Sequence, residues 1–174
     1  MDPPHLLVPL SIWLSLAAYT ASEAGRAGRL TIPGRDGPRF MLTVGCLLYM
    51  AHVVAAFSSD HAWSHAAAYA STARRTEALF GLDWGGGLYV NYAFSALWVS
   101  EVVWWWMASA SYLHRERWKH ITIRAVFLFM TANGAVVFVN GPMRWVGLAI
   151  VATLVTTWST ARPQPGERTH QARR

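Results

Sequence analysis

The sequence is poor in cysteine and in charged side chains, and each shortage excludes a class of protein. Cys46 is the single cysteine among 174 residues, so the chain cannot form an internal disulfide. Charged residues make up only 14%, whereas an ordinary soluble domain has about 25%. A disordered chain needs high net charge with few apolar residues, so that class is excluded as well. No phosphate-binding loop and no nucleophilic triad stands out, which leaves nucleotide-driven and hydrolytic chemistry without support.

Apolar residues are abundant instead, at 53% of the chain, and they are gathered into long segments. A helix that crosses a bilayer needs about 20 predominantly apolar residues. Five segments reach or approach that length and leave few polar faces to meet water. They are residues 6–24, 40–57, 88–113, 121–140 and 143–160. We therefore predict an all-α integral membrane protein, a five-helix transmembrane bundle in which residues 1–161 form a single domain.

The first segment has an alternative interpretation as a cleaved secretory signal, because the small residues at 21–24 permit cleavage. A secretory signal has basic residues before its apolar core, and residues 1–5 contain no Lys or Arg. We therefore expect the first segment to be a retained helix.

The positions of the basic residues predict the orientation of this bundle. Eleven of the 15 Lys and Arg residues fall in alternate links and in the tail, which places them on one side of the membrane. They are Arg26, Arg29, Arg35, Arg39, Arg115, Arg117, Lys119, Arg162, Arg168, Arg173 and Arg174. The positive-inside rule then places the N-terminus outside and the C-terminus in the cytoplasm, in a plasma or inner membrane. The net charge of +6 is thereby explained without a nucleic-acid partner.

The C-terminal tail, residues 162–174, lacks apolar periodicity and contains Pro163, Pro165 and Gly166. We predict a disordered basic tail beside the anionic inner leaflet.

The segment between the second and third apolar stretches is too polar to span the bilayer. Its alanines predict an amphipathic helix over about residues 60–80, capped by Ser58 or Ser59 and ended by Gly81. Such a helix fits the outer membrane interface.

Two histidines of this segment form a candidate metal site. His61 and His65 are four residues apart, so on a helix they share one face and can hold one metal ion. Tyr69 continues the same face, and His52 could add a ligand if the chain folds back. We expect the ligand to be a transition-metal ion. Haem is the weaker alternative, because its two axial histidines should come from facing structural elements and not from one helix. The alternative is a pair of solvated histidines.

Three polar residues are predicted to lie at one level near the middle of the bilayer. At ~1.5 Å per residue, His52, Glu101 and Asn133 each lie ~18–20 Å from the inner edge of the membrane. Placing an acidic residue such as Glu101 at the centre of a spanning helix costs about 2.5–3.5 kcal/mol of insertion free energy. Such a residue needs a hydrogen-bonding partner, and we expect that partner to be His52. Asn91 lies on the same stripe of its helix as Glu101. The cluster is interpreted either as a proton relay, an ion site or a metal site, or as hydrogen bonds that fix helix register.

These patterns define three hypotheses for function and assign no reaction. The first is a small multi-pass membrane protein that binds a metal at His61, His65 and His52. In it Glu101, Asn133, Asn91 and Tyr69 hydrogen-bond the ligands or carry protons. The second is a proton- or cation-conducting component that uses Glu101 and His52. The third is a non-catalytic accessory subunit, and the expected partners are the lipid bilayer and either a second copy or a larger membrane complex.

Overall fold

A computed structural model describes residues 3–159, and all regular structure within them is helical. The helices are α1 (Pro3–Arg26), α2 (Gly37–Ser59), α3 (His65–Phe80), α4 (Gly87–Met107), α5 (Ser109–Leu113), α6 (Arg117–Ala132) and α7 (Met143–Ser159), with a π-helical turn at Asn133–Val137 between the last two. The all-α class is confirmed for this part of the chain. The tail predicted to be disordered, residues 162–174, lies outside the described residues.

Two stretches of the described chain are long and apolar enough to cross a membrane, namely Gly37–Ser59 and Arg117–Val137. Helix α7 is also apolar but has only 17 residues. Helix α4 has 21 residues but is not among these two stretches. Length and composition thus give weak support for membrane association and leave the count of five spans as a proposal.

Helices α1 and α2 form a close antiparallel pair that is held by serine hydroxyls. The Ser15 hydroxyl donates to the Gly45 carbonyl at 2.7 Å, and the Ser22 hydroxyl donates to the Pro38 carbonyl at 2.7 Å. A Cβ at Gly45 would lie 3.2 Å from the Ser15 carbonyl oxygen and 3.0 Å from the Trp98 ring. Glycine at this position therefore lets the two backbones approach.

The core is aromatic and joins four helices. Trp98 of α4 is 1% exposed and packs on Tyr19 of α1, Tyr49 of α2 and Phe127 of α6, with ring centroids 5.6, 5.3 and 5.0 Å away. Tyr19 stacks on Phe127 at 4.3 Å. Aromatic pairs of this kind add about 0.5–1.5 kcal/mol each beyond their buried area, so this contact fixes the four helices in register.

The stretch expected to be one helix over 121–140 changes its hydrogen-bond pattern at Asn133. The Asn133 carbonyl accepts from the Phe138 amide at 3.0 Å, five residues on. Beside this turn, Gly147 of α7 lies so close to the Ala135 carbonyl that no side chain would fit. The wider turn thus accompanies the close approach of α7.

Helix α4 ends earlier than the predicted 88–113 segment. The backbone breaks at Ala108, with φ −141° and ψ 58°, and resumes as the short helix α5. Tyr112 of α5 folds back and stacks on Trp105 of α4, with ring centroids 4.7 Å apart. This stacking holds α5 against the end of α4.

Candidate functional site

The structure does not place His61 and His65 on one helix face. Helix α3 begins at His65, and the Ser64 hydroxyl caps it by accepting from the Ala67 amide at 3.2 Å. His61 lies in the preceding turn, where Ala62 and Trp63 have φ of 45° and 61°. The predicted helix start near residue 60 is therefore corrected, because capping by Ser64 replaces capping by Ser58 or Ser59. The predicted end at Gly81 is confirmed, with φ 69°.

Both histidines nevertheless contact the same group of rings. His65 Nδ1 lies 3.1 Å from the Tyr92 hydroxyl, and the His61 ring lies 5.7 Å from Phe57, which is 6.2 Å from Tyr92. Tyr69 joins through Tyr89 at 6.2 Å. We name this group the histidine–tyrosine cluster, and its members are Phe57, His61, His65, Tyr69, Tyr89 and Tyr92. Within residues 3–159, no three His, Cys, Asp or Glu side chains gather to hold a metal ion.

The polar residues expected at mid-membrane are not brought together. The half-buried His52 donates from Nδ1 to the Val8 carbonyl at 2.8 Å, which ties α2 to α1. Asn133 opens the π-helical turn, and Asn91 is exposed, with its carbonyl accepting from Ser95 at 2.8 Å. These contacts differ from the predicted link between His52 and Glu101.

Glu101 is buried as predicted, at 4% exposure, but its partners come from the chain that follows its own helix. Its Oε2 accepts from Arg115 Nη1 at 2.6 Å and from the Tyr112 hydroxyl at 3.0 Å. The Arg115 side chain is itself 2% exposed. The expected partner His52 is therefore replaced by Arg115. The break at Ala108 makes this possible, because it returns the chain toward Glu101.

A second buried carboxylate, Glu23, was not singled out from the sequence. It is 2% exposed and accepts from Arg26 at 2.7 Å, from Arg124 at 2.9 Å and from Trp158 Nε1 at 2.7 Å. One carboxylate thereby joins α1, α6 and α7. The one indication in the sequence was that Glu23 lies close to a loop rich in arginine, and an acidic residue in such a position is usually exposed to solvent.

The two carboxylates border one small cavity, and we name the charged groups around it, together with Tyr112, the arginine cluster. Its members are Glu23, Arg26, Glu101, Tyr112, Arg115 and Arg124. The cavity has a volume of about 10 Å³, which is room for about one water molecule. The Arg115 guanidinium lies 4.3 Å above the Tyr112 ring, and the Arg26 guanidinium lies 5.4 Å above the same ring. Burial raises the pKa of Tyr112 to about 12, so this phenol is a neutral hydrogen-bond donor.

The arginine cluster gathers at one end of the bundle. Glu23 lies at the C-terminal end of α1, Arg115 just before α6, and Trp158 at the C-terminal end of α7. Arg39, near the start of α2, donates to the Ser109 hydroxyl at 2.8 Å at this same end. Charge-assisted hydrogen bonds therefore connect the ends of α1, α2, α4, α6 and α7.

Comparison with protein-family models, with curated proteins and with solved structures finds no match to this chain.

Proposed function

We propose that the chain is an integral membrane protein with five spans, formed by α1, α2, α4, α6 with its π-helical turn, and α7. At ~1.5 Å per residue, the 21 residues of α4 reach ~32 Å, about the thickness of the hydrocarbon core. The end of the bundle that holds the arginine cluster contains the C-terminal ends of α1, α4 and α7 and the N-terminal ends of α2 and α6. Such alternation is what five successive spans require. Helix α3 then lies outside the bilayer on the opposite side.

The orientation that we propose follows from the charge of the clustered end. Arg26, Arg39 and Arg115 all lie at this end, and the basic end of a bundle faces the cytoplasm. The N-terminus is then outside and the C-terminus inside, in a plasma or inner membrane.

Within this membrane protein we infer a non-catalytic role, as an accessory or scaffolding subunit that assembles with itself or with a larger complex. The observation that carries it is that both buried carboxylates of the described chain are held by arginines. Glu23 is held by Arg124 at 2.9 Å and Glu101 by Arg115 at 2.6 Å. Such pairs do not stabilise more than good apolar packing, but breaking one is strongly destabilising. They fix one arrangement of the helices.

The same contacts disfavour proton conduction through Glu101 and His52. A relay through both residues needs contact between them, and Glu101 is hydrogen-bonded to Tyr112 and Arg115 instead. His52 is tied to a backbone carbonyl of α1.

Topology can be tested in intact cells that express the chain, and conduction can be tested on the purified protein. Single cysteines at exposed positions 35, 75, 117 and 144, in a Cys46→Ser background, should react with an impermeant thiol reagent from alternate sides of the membrane. Positions 35 and 117 should be labelled from the cytoplasm, and positions 75 and 144 from outside.

Proteoliposomes should show the same proton flux as empty vesicles. A flux that Glu101→Gln abolishes would overturn the accessory role and support conduction.

A second candidate function is metal binding at the histidine–tyrosine cluster. The approach of His65 Nδ1 to the Tyr92 hydroxyl, at 3.1 Å, favours it, because imidazole suits a transition metal and a hydrogen bond to one ring nitrogen orients the other toward a ligand position. Haem would need two facing histidines, and His61 and His65 are close in sequence.

Metal analysis of the purified protein tests this candidate. Near-stoichiometric metal that disappears in His61→Ala/His65→Ala and persists in His114→Ala would establish the site. Absence of metal from all three proteins would reject it, and a visible spectrum would reveal haem directly.

A further inference from the structure

The cavity of the arginine cluster is lined by unequal numbers of positive and negative groups. Arg26, Arg115 and Arg124 contribute three positive charges, whereas Glu23 and Glu101 contribute two negative ones. All five side chains are less than a fifth exposed. An excess charge held away from water is costly unless a counter-charge accompanies it.

The other residues around the cavity do not supply that counter-charge. Tyr19, Leu42, Ile123 and Phe127 are uncharged side chains. The phenol of Tyr112 remains neutral, because burial raises its pKa to about 12.

The neighbours of the cavity do not balance the charge either. His120 lies beside Arg115, where its Nδ1 accepts from Arg115 Nε at 3.3 Å, and an imidazole adds no negative charge. Asp36 forms its ion pair with Arg39, at 2.7 Å.

We propose that this cavity binds one small monovalent anion of the halide class, for which chloride is the abundant source. The charge argues for one negative unit, since a single monovalent anion makes the lining neutral. The size argues for a monatomic ion, since a volume of about 10 Å³ holds about one water molecule and a tetrahedral oxyanion has five heavy atoms. The guanidinium groups of Arg26, Arg115 and Arg124 are the donors available to it. The inference rests on the cavity lining and does not depend on the proposed accessory role.

Thermal unfolding of the detergent-purified full chain tests the site, with sodium chloride compared with sodium gluconate at equal ionic strength. Equal ionic strength keeps general screening of charges the same in both salts. We expect the melting temperature to rise with the logarithm of the chloride concentration. At about 100 times the dissociation constant, the unfolding equilibrium constant should fall about 100-fold. Bromide should replace chloride, and sulfate should not.

Two matched variants separate the site from a general salt effect. Arg124→Gln makes the lining neutral while Arg26 still holds Glu23, so the difference between chloride and gluconate should disappear. Arg35→Gln removes an exposed arginine outside the cluster and should keep the full difference. If Arg124→Gln does not fold, the chloride NMR line width with the wild-type protein gives the answer directly. Protein should broaden that line, and excess bromide should restore it.

Three outcomes would overturn the proposal. Identical unfolding in chloride and gluconate, with no line broadening, would mean that the cavity holds only water. A chloride effect that survives in Arg124→Gln would place the anion elsewhere. Stabilisation by phosphatidylglycerol in gluconate, without any chloride effect, would assign the counter-charge to a lipid phosphate.

Discussion

Arg124 Nε lies 2.9 Å from Glu23 Oε2, although 101 residues separate these two side chains in the sequence. The bond joins the first helix to the sixth across the end of the bundle. Trp158 of α7 donates to the same oxygen atom at 2.7 Å, so three helices converge on one carboxylate.

Removing that carboxylate should destabilise the bundle strongly. Glu23→Ala leaves Arg26 and Arg124 without their shared acceptor in a buried site, and we expect a loss of about 3–5 kcal/mol in the free energy of unfolding. Asp36→Ala is the matched control, since Asp36 is 56% exposed in its pair with Arg39 and should cost about 0–1 kcal/mol. Denaturant unfolding in detergent measures both. Equal losses would show that Glu23 acts as an ordinary surface acid.

The indole N–H of Trp158 should contribute separately from the ring. Trp158→Phe keeps most of the apolar contact and removes the donor to Glu23. A hydrogen bond to a charged group contributes about 1.5–3 kcal/mol, which is the loss that we expect. Trp145→Phe is the control, because Trp145 is 72% exposed. An unchanged stability of Trp158→Phe would mean that water replaces the indole.

Two glycines should respond oppositely to the same substitution. Gly45→Ala places a methyl group 3.0 Å from Trp98 and 3.2 Å from the Ser15 carbonyl, and overpacking of this kind costs about 1–3 kcal/mol. Gly134→Ala meets no atom within 4 Å, so we expect no loss and a gain of up to about 1 kcal/mol from helix propensity. Thermal melts of the two variants give the comparison. A loss at Gly134 equal to that at Gly45 would contradict the packing described here.

Stability should fall at alkaline pH as Tyr112 ionises. Its pKa is raised from 10.0 to about 12, with burial as the largest cause. A raised pKa means that the neutral phenol is favoured by folding, so this contribution is complete below pH 10 and is lost as pH rises toward 12. Melting temperatures of wild type and Tyr112→Phe should therefore converge over this range. The difference in tyrosinate absorbance between wild type and Tyr112→Phe measures the titration of Tyr112 itself. A difference already present at pH 10 would contradict the expectation.

The lengths of the apolar segments predicted the long helices well, because a helix without a polar face has an uninterrupted run of apolar residues. The same reasoning identified Glu101 as buried, since an acid in the middle of such a run has no route to water. Its partner was not predictable from depth along straight helices. The chain breaks at Ala108 and returns, and a break at an alanine leaves no signal in the sequence.

Short-range geometry was predicted less well. The spacing of His61 and His65 indicates a shared face only if a helix contains both, and Ser64 begins the helix one residue before His65. Glu23 was missed because its three partners come from positions 26, 124 and 158. Gly45 and Gly147 lie where helix backbones approach closely, whereas Gly134 lies in open space on the π-helical turn.

The pair of Glu23 with Arg26, three residues further along α1, bears on how the bundle can assemble. Helix α1 leaves the ribosome first, nearly a hundred residues before Arg124 exists. Because Arg26 already balances Glu23, this part of α1 carries no net charge before α6 is made. Arg124 and Trp158 then add to a carboxylate that already has a partner, so Glu23 need not be unpaired at any stage before α6 and α7 dock.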